Sequence, residues 1–441
     1  MVAVIILAAG QSKRMKSATS KVLHPLGGKP VIEHVIDTVQ SLNPDQVFVV
    51  TSPDLKDNPL FQNVTVAVQE NPKGTADAVK TVLPHLKTEI QDVIIMCGDT
   101  PLLQAATLKS LCDLTADLNL IAMPIRNKDD SYGRVICNDQ YQGPTAIIEY
   151  KDATDDQRAL PWANSGVYKI KVSVLKNLLP HIQSQNASHE YYLTDLVGLA
   201  HQQGHSLSML TAKDADEFQG INTRQDLSVA NELLQQRWRE QLMNQGVTLI
   251  QPETVFLSFD TKIDQDSCVG PFVTFGTGVQ LANDVTVLPF CHLENTHAAP
   301  HVTIGPFAHC RGGTVLQQGA QLGNFVEVKG SRLGQNVKAK HLSYIGDTTI
   351  GDGTNIGAGT ITCNYNGFEK FKTDIGANVM VGGNSCLISP LTIGDGALIA
   401  AGSVITKDIP ADALALSRPQ QINKPEGAKN FRNKWVKKPP L

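Results

Sequence analysis

The sequence predicts an α/β Rossmann-like domain followed by a left-handed parallel β-helix. Three observations predict it. Up to about residue 222, short β-rich runs alternate with helix-like stretches, the pattern of a sheet covered by helices. After about residue 250, glycine and β-branched residues recur with a six-residue period, which is the mark of a β-helix. With 441 residues, the chain is also too long for one ordinary core.

The first half reads strand by strand. "VAVIIL" (2–7), "QVFVVT" (46–51), "VTVAV" (64–68) and "DVIIMC" (92–97) are buried-looking strands, expected to lie parallel. "PVIEHVIDTVQSL" (30–42) and "GTADAVKTVLPHL" (74–86) are the helices between them. Residues 223–245 place Leu227, Ala230, Leu233, Leu234, Trp238 and Leu242 at helical spacing, so a connecting helix is expected. The expected domains are therefore 1–222, a linker helix at 223–245, and 246–441.

The second half reads as hexads: "VGPFVT" (269–274), "IGPFAH" (304–309), "LGNFVE" (322–327), "LGQNVK" (333–338), "IGDGTN" (350–355), "IGAGTI" (356–361) and "IGDGAL" (393–398). The first residue of each fills the prism, and the fifth, also inward, must be small. Three hexads close one triangular coil, so residues about 18 apart stack roughly 4.8 Å from each other.

Composition narrows the function. A net charge of −4 gives no global field for nucleic acid or anionic membrane. The eight cysteines are scattered, with no C-x-x-C pair, so neither zinc nor a disulfide scaffold is indicated and a reduced, cytoplasmic setting is expected. No run approaches the roughly 20 apolar residues of a membrane span.

"LAAGQSKRM" (7–15) follows the first strand directly. A tight turn there sets backbone N–H groups at the carboxyl edge of the sheet, where α/β folds bind ligands. Gly10 permits close approach, and Lys13 and Arg14 add charge suited to phosphate. Neither G-x-G-x-x-G nor a P-loop G-K-[ST] is present, which argues against dinucleotide and P-loop readings. Lys21 is a second cation. Asp99 follows a buried strand, as a Mg²⁺ ligand or as a turn aspartate. Asn222 is either a second oxygen ligand or a helix cap.

On the β-helix the stacking rule places Lys329 over Arg311. Two adjacent cations suit an anion such as a sugar phosphate, or else form a solvated basic patch. The segment 328–332 is one residue short of a hexad, so the interval drops to 17 and Tyr344 falls over Glu327. His341 then lies at the adjacent outward corner. The hexads break at "TCNYNGFEKFKTD" (362–374), a loop long enough to suggest function.

"LAAG", "KVLHPL", "GTADA", "GDTP", "YGRV", "EYKDAT", "NSGVY", "EYYLTD" and "GINTR" occur in this order. The first half thereby resembles the sugar-1-phosphate nucleotidyltransferases. With the β-helix added, the whole chain resembles the bacterial bifunctional N-acetylglucosamine-1-phosphate uridyltransferase/glucosamine-1-phosphate acetyltransferases. The resemblance implies acetyl-CoA-dependent N-acetylation of glucosamine 1-phosphate. Mg²⁺-dependent uridyl transfer from UTP to N-acetylglucosamine 1-phosphate would follow, giving the sugar nucleotide of peptidoglycan and lipopolysaccharide synthesis. Two other readings remain at this point. One is a single-activity ADP-glucose or dTDP-sugar pyrophosphorylase with an idle β-helix; the other is an inactive regulatory paralogue.

The resemblance also implies roles. Leu7, Ala8, Ala9 and Gly10 would line the uridine site with Gln69, Gly74 and Thr75. Arg14 and Lys21 would meet phosphates. Gly133, Glu149 and Asn164 would hold the N-acetylglucosamine moiety, and Asp99 and Asn222 would ligate Mg²⁺. In the second half His341 would be the general base, oriented by Glu327. Arg311, Lys329, Tyr344 and Asn355 would bind the sugar phosphate. Acetyl-CoA would meet Ala358, Asn364, Tyr365, Gly383, Ala401 and Arg418. A homotrimer packed through the β-helix is implied. Three positions depart from the family pattern. Ser12 and Lys13 stand for the usual Gly and Thr, and Gly383 stands for a frequent Ser. The basic tail 429–441, with Trp435, either covers coenzyme phosphates or is a solvated end.

Overall fold

In the computed structural model, which describes residues 1–10, 12–125, 131–138 and 143–436, the chain divides into two units, residues 1–237 and 238–441. The division falls inside the expected connecting helix, which runs Arg224–Asn244.

The strands of unit 1 that frame its site are β1 (Val2–Leu7), β2 (Gln46–Thr51), β3 (Thr65–Val68), β4 (Asp92–Cys97), β5 (Leu118–Pro124), β6 (Arg134–Cys137), β7 (Pro144–Ile148), β8 (Trp162–Lys171) and β9 (Leu207–Thr211). The sheet order is β9-β5-β8-β4-β1-β2-β3, with β6 on β8 and β7 on β6. Ile5 aligns with Phe48 on one side and Ile95 on the other, both pairings parallel. The expectation of a parallel sheet holds from β4 to β3 and fails at β8, which runs antiparallel between β4 and β5. Antiparallel pairing carries no crossover signature, so the strand–helix alternation could not reveal it. Side chains alternate across the sheet. Ile5, Phe48 and Ile95 enter one apolar cluster, and Val4, Val49 and Ile94 enter the other.

In unit 2 every coil contributes strands to three all-parallel sheets, the arrangement of a left-handed parallel β-helix. One interior column runs Leu249, Val269, Val287, Ile304 on successive coils. It resumes as Leu322, Ala339, Ile356, Val381, Ile399. These side chains are buried, and the fifth-place residues Ala308, Val326 and Thr360 are buried beside them. The irregular hexads at 362–374 form an excursion between the strands Ile361–Cys363 and Thr373–Ile375, pinched by a bridge between Tyr365 and Lys370.

Candidate functional sites

In unit 1, β1 ends at Leu7, and the chain turns as Ala8 N–H donates to Val50 O (2.8 Å). Gly98 N–H donates to Leu7 O (2.9 Å), and a Cβ on Gly98 would lie 2.8 Å from Ile32 and 3.2 Å from Ala8. A side chain at this position would crowd the join of the two strand ends. The resulting cavity, about 400 Å³, includes Leu7, Ala8, Ala9, Gly10, Gln69 and Gly74 in its wall, with Lys21, Thr75 and Asp99 also reaching it.

Lys21 Nζ meets the Asp99 carboxylate and lies 2.9 Å from Asn222 Oδ1. The three residues come from positions far apart in sequence. Ile221 N–H donates to Asp99 O, and Asn222 N–H to Asp226, which hold both elements at the strand end. One carboxylate and one amide oxygen, already gathered around an ammonium, are a hard-oxygen set that fits Mg²⁺ shared with phosphate. Among the described residues no group of three or more His, Cys, Asp or Glu side chains could hold a metal.

Ser12 adopts a left-handed conformation (φ 50°), and its hydroxyl accepts from Lys21 N–H (2.9 Å). The replacement of the usual glycine therefore fastens the turn to the lysine segment. Lys13 opens on a neighbouring cavity with Ser12, Ser17 and Thr19. Arg14 lines another, with Tyr132, Gly220 and Asn222. Gly133, Glu149 and Asn164 come together: Asn164 N–H donates to Gly133 O (2.8 Å), and a Cβ on Gly133 would be 3.5 Å from Glu149 Oε2. Asn164 Oδ1 accepts from Gly166 N–H and from the Tyr168 hydroxyl, and Glu149 Oε1 accepts from Thr194. Burial pushes the Glu149 carboxyl above its ordinary range. Cys97, at the base of the cavity, is pushed up to about 12 by burial and then by the Asp99 charge, so its thiol is inert.

In unit 2, Arg311 and Lys329 are in register, as are Glu327 and Tyr344. Each cation already has a carboxylate. Arg311 Nε and its terminal nitrogen donate to Glu327 Oε1 (2.9 and 2.6 Å), and Lys329 Nζ donates to Asp347 (3.3 Å). Asn364 Nδ2 also donates to Asp347. A Cβ on Gly346 would lie 2.5 Å from the Tyr344 hydroxyl and 2.8 Å from Asn364 Nδ2, so this glycine lets both side chains close over the strand.

His341 lies in the strand Lys338–His341 of the adjacent sheet. The expectation that Glu327 orients it is corrected here. Glu327 is held by Arg311, and His341 Nδ1 instead meets Asn324 Oδ1 at 2.8 Å. Asn324 and His341 are register partners on consecutive coils. The seventeen-residue interval that sets Tyr344 over Glu327 also sets His341 over Asn324, so the signal was present in the sequence. Asp347 was not legible in the same way: the seventeen-residue interval places Gly346 over Lys329, and Asp347 is the residue after it.

Asn355 is not drawn into this group; its Nδ2 donates to Met380 Sδ on the next coil. Tyr365 is exposed, with its hydroxyl donating to Gly367 O. Ala358, Gly383 and Ala401 form a column. A Cβ on Gly383 would lie 3.1 Å from Ala358 O, Gly402 N–H donates to Gly383 O, and Arg418 donates to Ala401 O (2.9 Å). The tail forms the helix Gly427–Val436 with Phe431 and Trp435 exposed; residues 437–441 lie outside the described residues.

Residues 4–183 match the MobA-like NTP transferase domain, and residues 372–407 match the bacterial transferase hexapeptide (six repeats). Over 98% of its length the chain is 43% identical to the Bifunctional protein GlmU of Zymomonas mobilis, covering 98% of that protein. It is 43% identical to the protein of that name from Agrobacterium fabrum (98% of this chain, 96% of the other) and 40% identical to that of Wolbachia pipientis (95% and 97%).

Proposed function

The chain belongs to the GlmU family of bifunctional proteins, and from that membership we infer that it makes UDP-N-acetylglucosamine in two steps, one in each unit. The β-helix acetylates the amine of glucosamine 1-phosphate with acetyl-CoA. The α/β unit then joins the product to UTP and releases pyrophosphate. The observation that carries this reading is the presence of two unlike polar clusters in two separate units. One is Lys21–Asp99–Asn222 at a sheet's carboxyl edge, and the other is Asn324–His341 with Arg311, Lys329 and Tyr344 on a β-helix wall.

In the acetyl step we assign His341 as general base. Asn324 Oδ1 can only accept, so the imidazole carries its proton on Nδ1 and leaves Nε2 bare. Nε2 takes a proton from the amine as its nitrogen attacks the thioester carbonyl; the C–N bond forms, the C–S bond breaks, and coenzyme A leaves as the thiol after gaining a proton. Arg311 and Lys329 bind the sugar phosphate. Their present partners Glu327 and Asp347 hold both side chains in place on the wall. The column Ala358–Gly383–Ala401, ending at Arg418, offers backbone polar groups to acetyl-CoA.

In the uridyl step no protein nucleophile is needed, because the sugar phosphate supplies an anionic oxygen. That oxygen attacks the α-phosphorus of UTP, and the bond to the β-phosphate oxygen breaks. The protein aligns the two and offsets charge. Asp99 and Asn222 would hold Mg²⁺, which supplies further charge neutralisation on the phosphates. Lys21 faces the same phosphates. Glu149 and Asn164 would hold the sugar.

The reading includes a homotrimer through the β-helix. Phe272, Phe290, Phe307 and Phe325 stack along one edge with centroids 5.0, 4.9 and 5.1 Å apart, and all four are about half exposed. Such an apolar ladder suits burial between copies. Among the described residues no helix is long and apolar enough to cross a membrane. The reading also includes a cytoplasmic location, where eight free cysteines such as these stay reduced. One assay tests the whole: the chain is given glucosamine 1-phosphate, acetyl-CoA, UTP and Mg²⁺, and free thiol and pyrophosphate are followed separately. Both should appear; absence of thiol removes the acetyl half, and absence of pyrophosphate when N-acetylglucosamine 1-phosphate is supplied directly removes the uridyl half.

A further inference from the structure

We propose that Asp77 is a specificity-determining positioning residue, which locks the Gln69 amide so that the cavity accepts uracil and rejects cytosine. The inference deepens the uridyl-transfer reading and rests on it.

Gln69 follows β3, and its backbone N–H donates to Thr51 O (2.8 Å). It is only 4% exposed and lines the cavity beyond β1. Its Nε2 donates to Asp77 Oδ2 (2.8 Å) and to Gly74 O (3.2 Å). A carboxylate and a carbonyl oxygen both accept, so the chemistry alone fixes which end of the amide faces them. Among the described residues no donor meets Oε1, the one polar atom of the amide left for a ligand.

The frame around this amide is rigid. Gly74 sits at φ +121°, where a Cβ would lie 2.4 Å from Tyr191 O, so glycine is required there, and its carbonyl also accepts from Ala78 N–H (3.2 Å). Ala76 N–H donates to Tyr191 O, and Leu193 N–H donates to Thr75 Oγ1. Asp77 stands in the first turn of the helix Thr75–Lys80.

An acceptor held in this way selects a base that presents an imino N–H. Uracil does so at N3. Cytosine presents a lone pair at N3, and two acceptors would then face each other at an amide that is itself only 4% exposed. A buried polar group without its partner is costly, so the discrimination is large. Removing Asp77 takes away the shorter of the two bonds on Nε2. The amide can then turn and donate to cytosine.

The test compares kcat/KM for UTP and CTP in the full chain, in D77A and in D77N, with thermal melting as the control for folding and acetyl transfer as the control for the second unit. In D77A the UTP-to-CTP ratio should fall about tenfold or more, with a raised KM for UTP and unchanged acetyl transfer. D77N keeps an acceptor oxygen and should hold the ratio within about threefold of the unmodified chain. An unchanged ratio in D77A overturns the proposal, and so does equal loss in D77A and D77N. An unmodified chain that turns over no UTP overturns the uridyl-transfer reading itself, and the two failures are distinguished by which protein shows them.

Discussion

Asn324 Oδ1 and His341 Nδ1 lie 2.8 Å apart on consecutive coils of one β-helix sheet. The partner of the proposed base is thus a neutral amide, while the nearby carboxylates of Glu327 and Asp347 are engaged by Arg311 and Lys329. An amide fixes the tautomer without adding the negative charge that would favour imidazolium.

Replacing Asn324 should therefore slow acetyl transfer and leave uridyl transfer alone. His341→Ala should cost roughly 10²–10⁴ in acetyl transfer. Asn324→Ala should cost less, about tenfold to a hundredfold, because the base remains and only its orientation is lost. Asn324→Asp keeps an oxygen acceptor for Nδ1 and should retain more acetyl transfer than Asn324→Ala. Thiol release reads all three. Normal kcat in Asn324→Ala would end the positioning role.

Asp99→Ala should reduce Mg²⁺-dependent pyrophosphate release by at least about a hundredfold and spare acetylation. Its carboxylate is the charged oxygen beside Lys21 that we assign to Mg²⁺, and its loss leaves the ammonium with Asn222 alone. Pyrophosphate release measured across a Mg²⁺ titration decides this. An unaltered Mg²⁺ dependence would remove Asp99 from the metal site.

Acid should weaken the α/β unit through His34. Burial, only partly countered by the hydrogen bond to Leu26 O, pushes this imidazole down to about 4. The unfolded chain binds the proton near the ordinary value of about 6.5, whereas the folded chain does not until about 4. The stabilisation from neutral His34 is therefore full above about 6.5 and lost as pH falls toward 4, by up to about 3 kcal/mol. His34→Gln keeps a donor for Leu26 O without the titration. Thermal melting between pH 7.5 and 4.5 should show a smaller acid-induced drop in the His34→Gln variant than in the unmodified chain. Parallel drops would clear His34 of this role.

The sequence alone determined the strands 2–7, 46–51 and 92–97, the helix at 224–244 and the coil period of the second half. Each of these is a local pattern. Alternation, helical spacing and the six-residue repeat follow from which residues must face inward, and that demand is written into neighbouring positions. The repeat even fixed partners far apart, since a regular coil turns distance along the chain into stacking. Arg311 over Lys329 and Tyr344 over Glu327 came from counting alone.

The tertiary structure decided what no local pattern encodes. Strand β8 enters the sheet antiparallel. Lys21 meets Asp99 and Asn222, and Gln69 meets Asp77, only after separate segments converge at one sheet edge. On the β-helix, stacking limits which side chains can meet, but their hydrogen bonds choose among the neighbours. Glu327 bonds Arg311 within its own sheet, and His341 bonds its register partner Asn324 in the adjacent one.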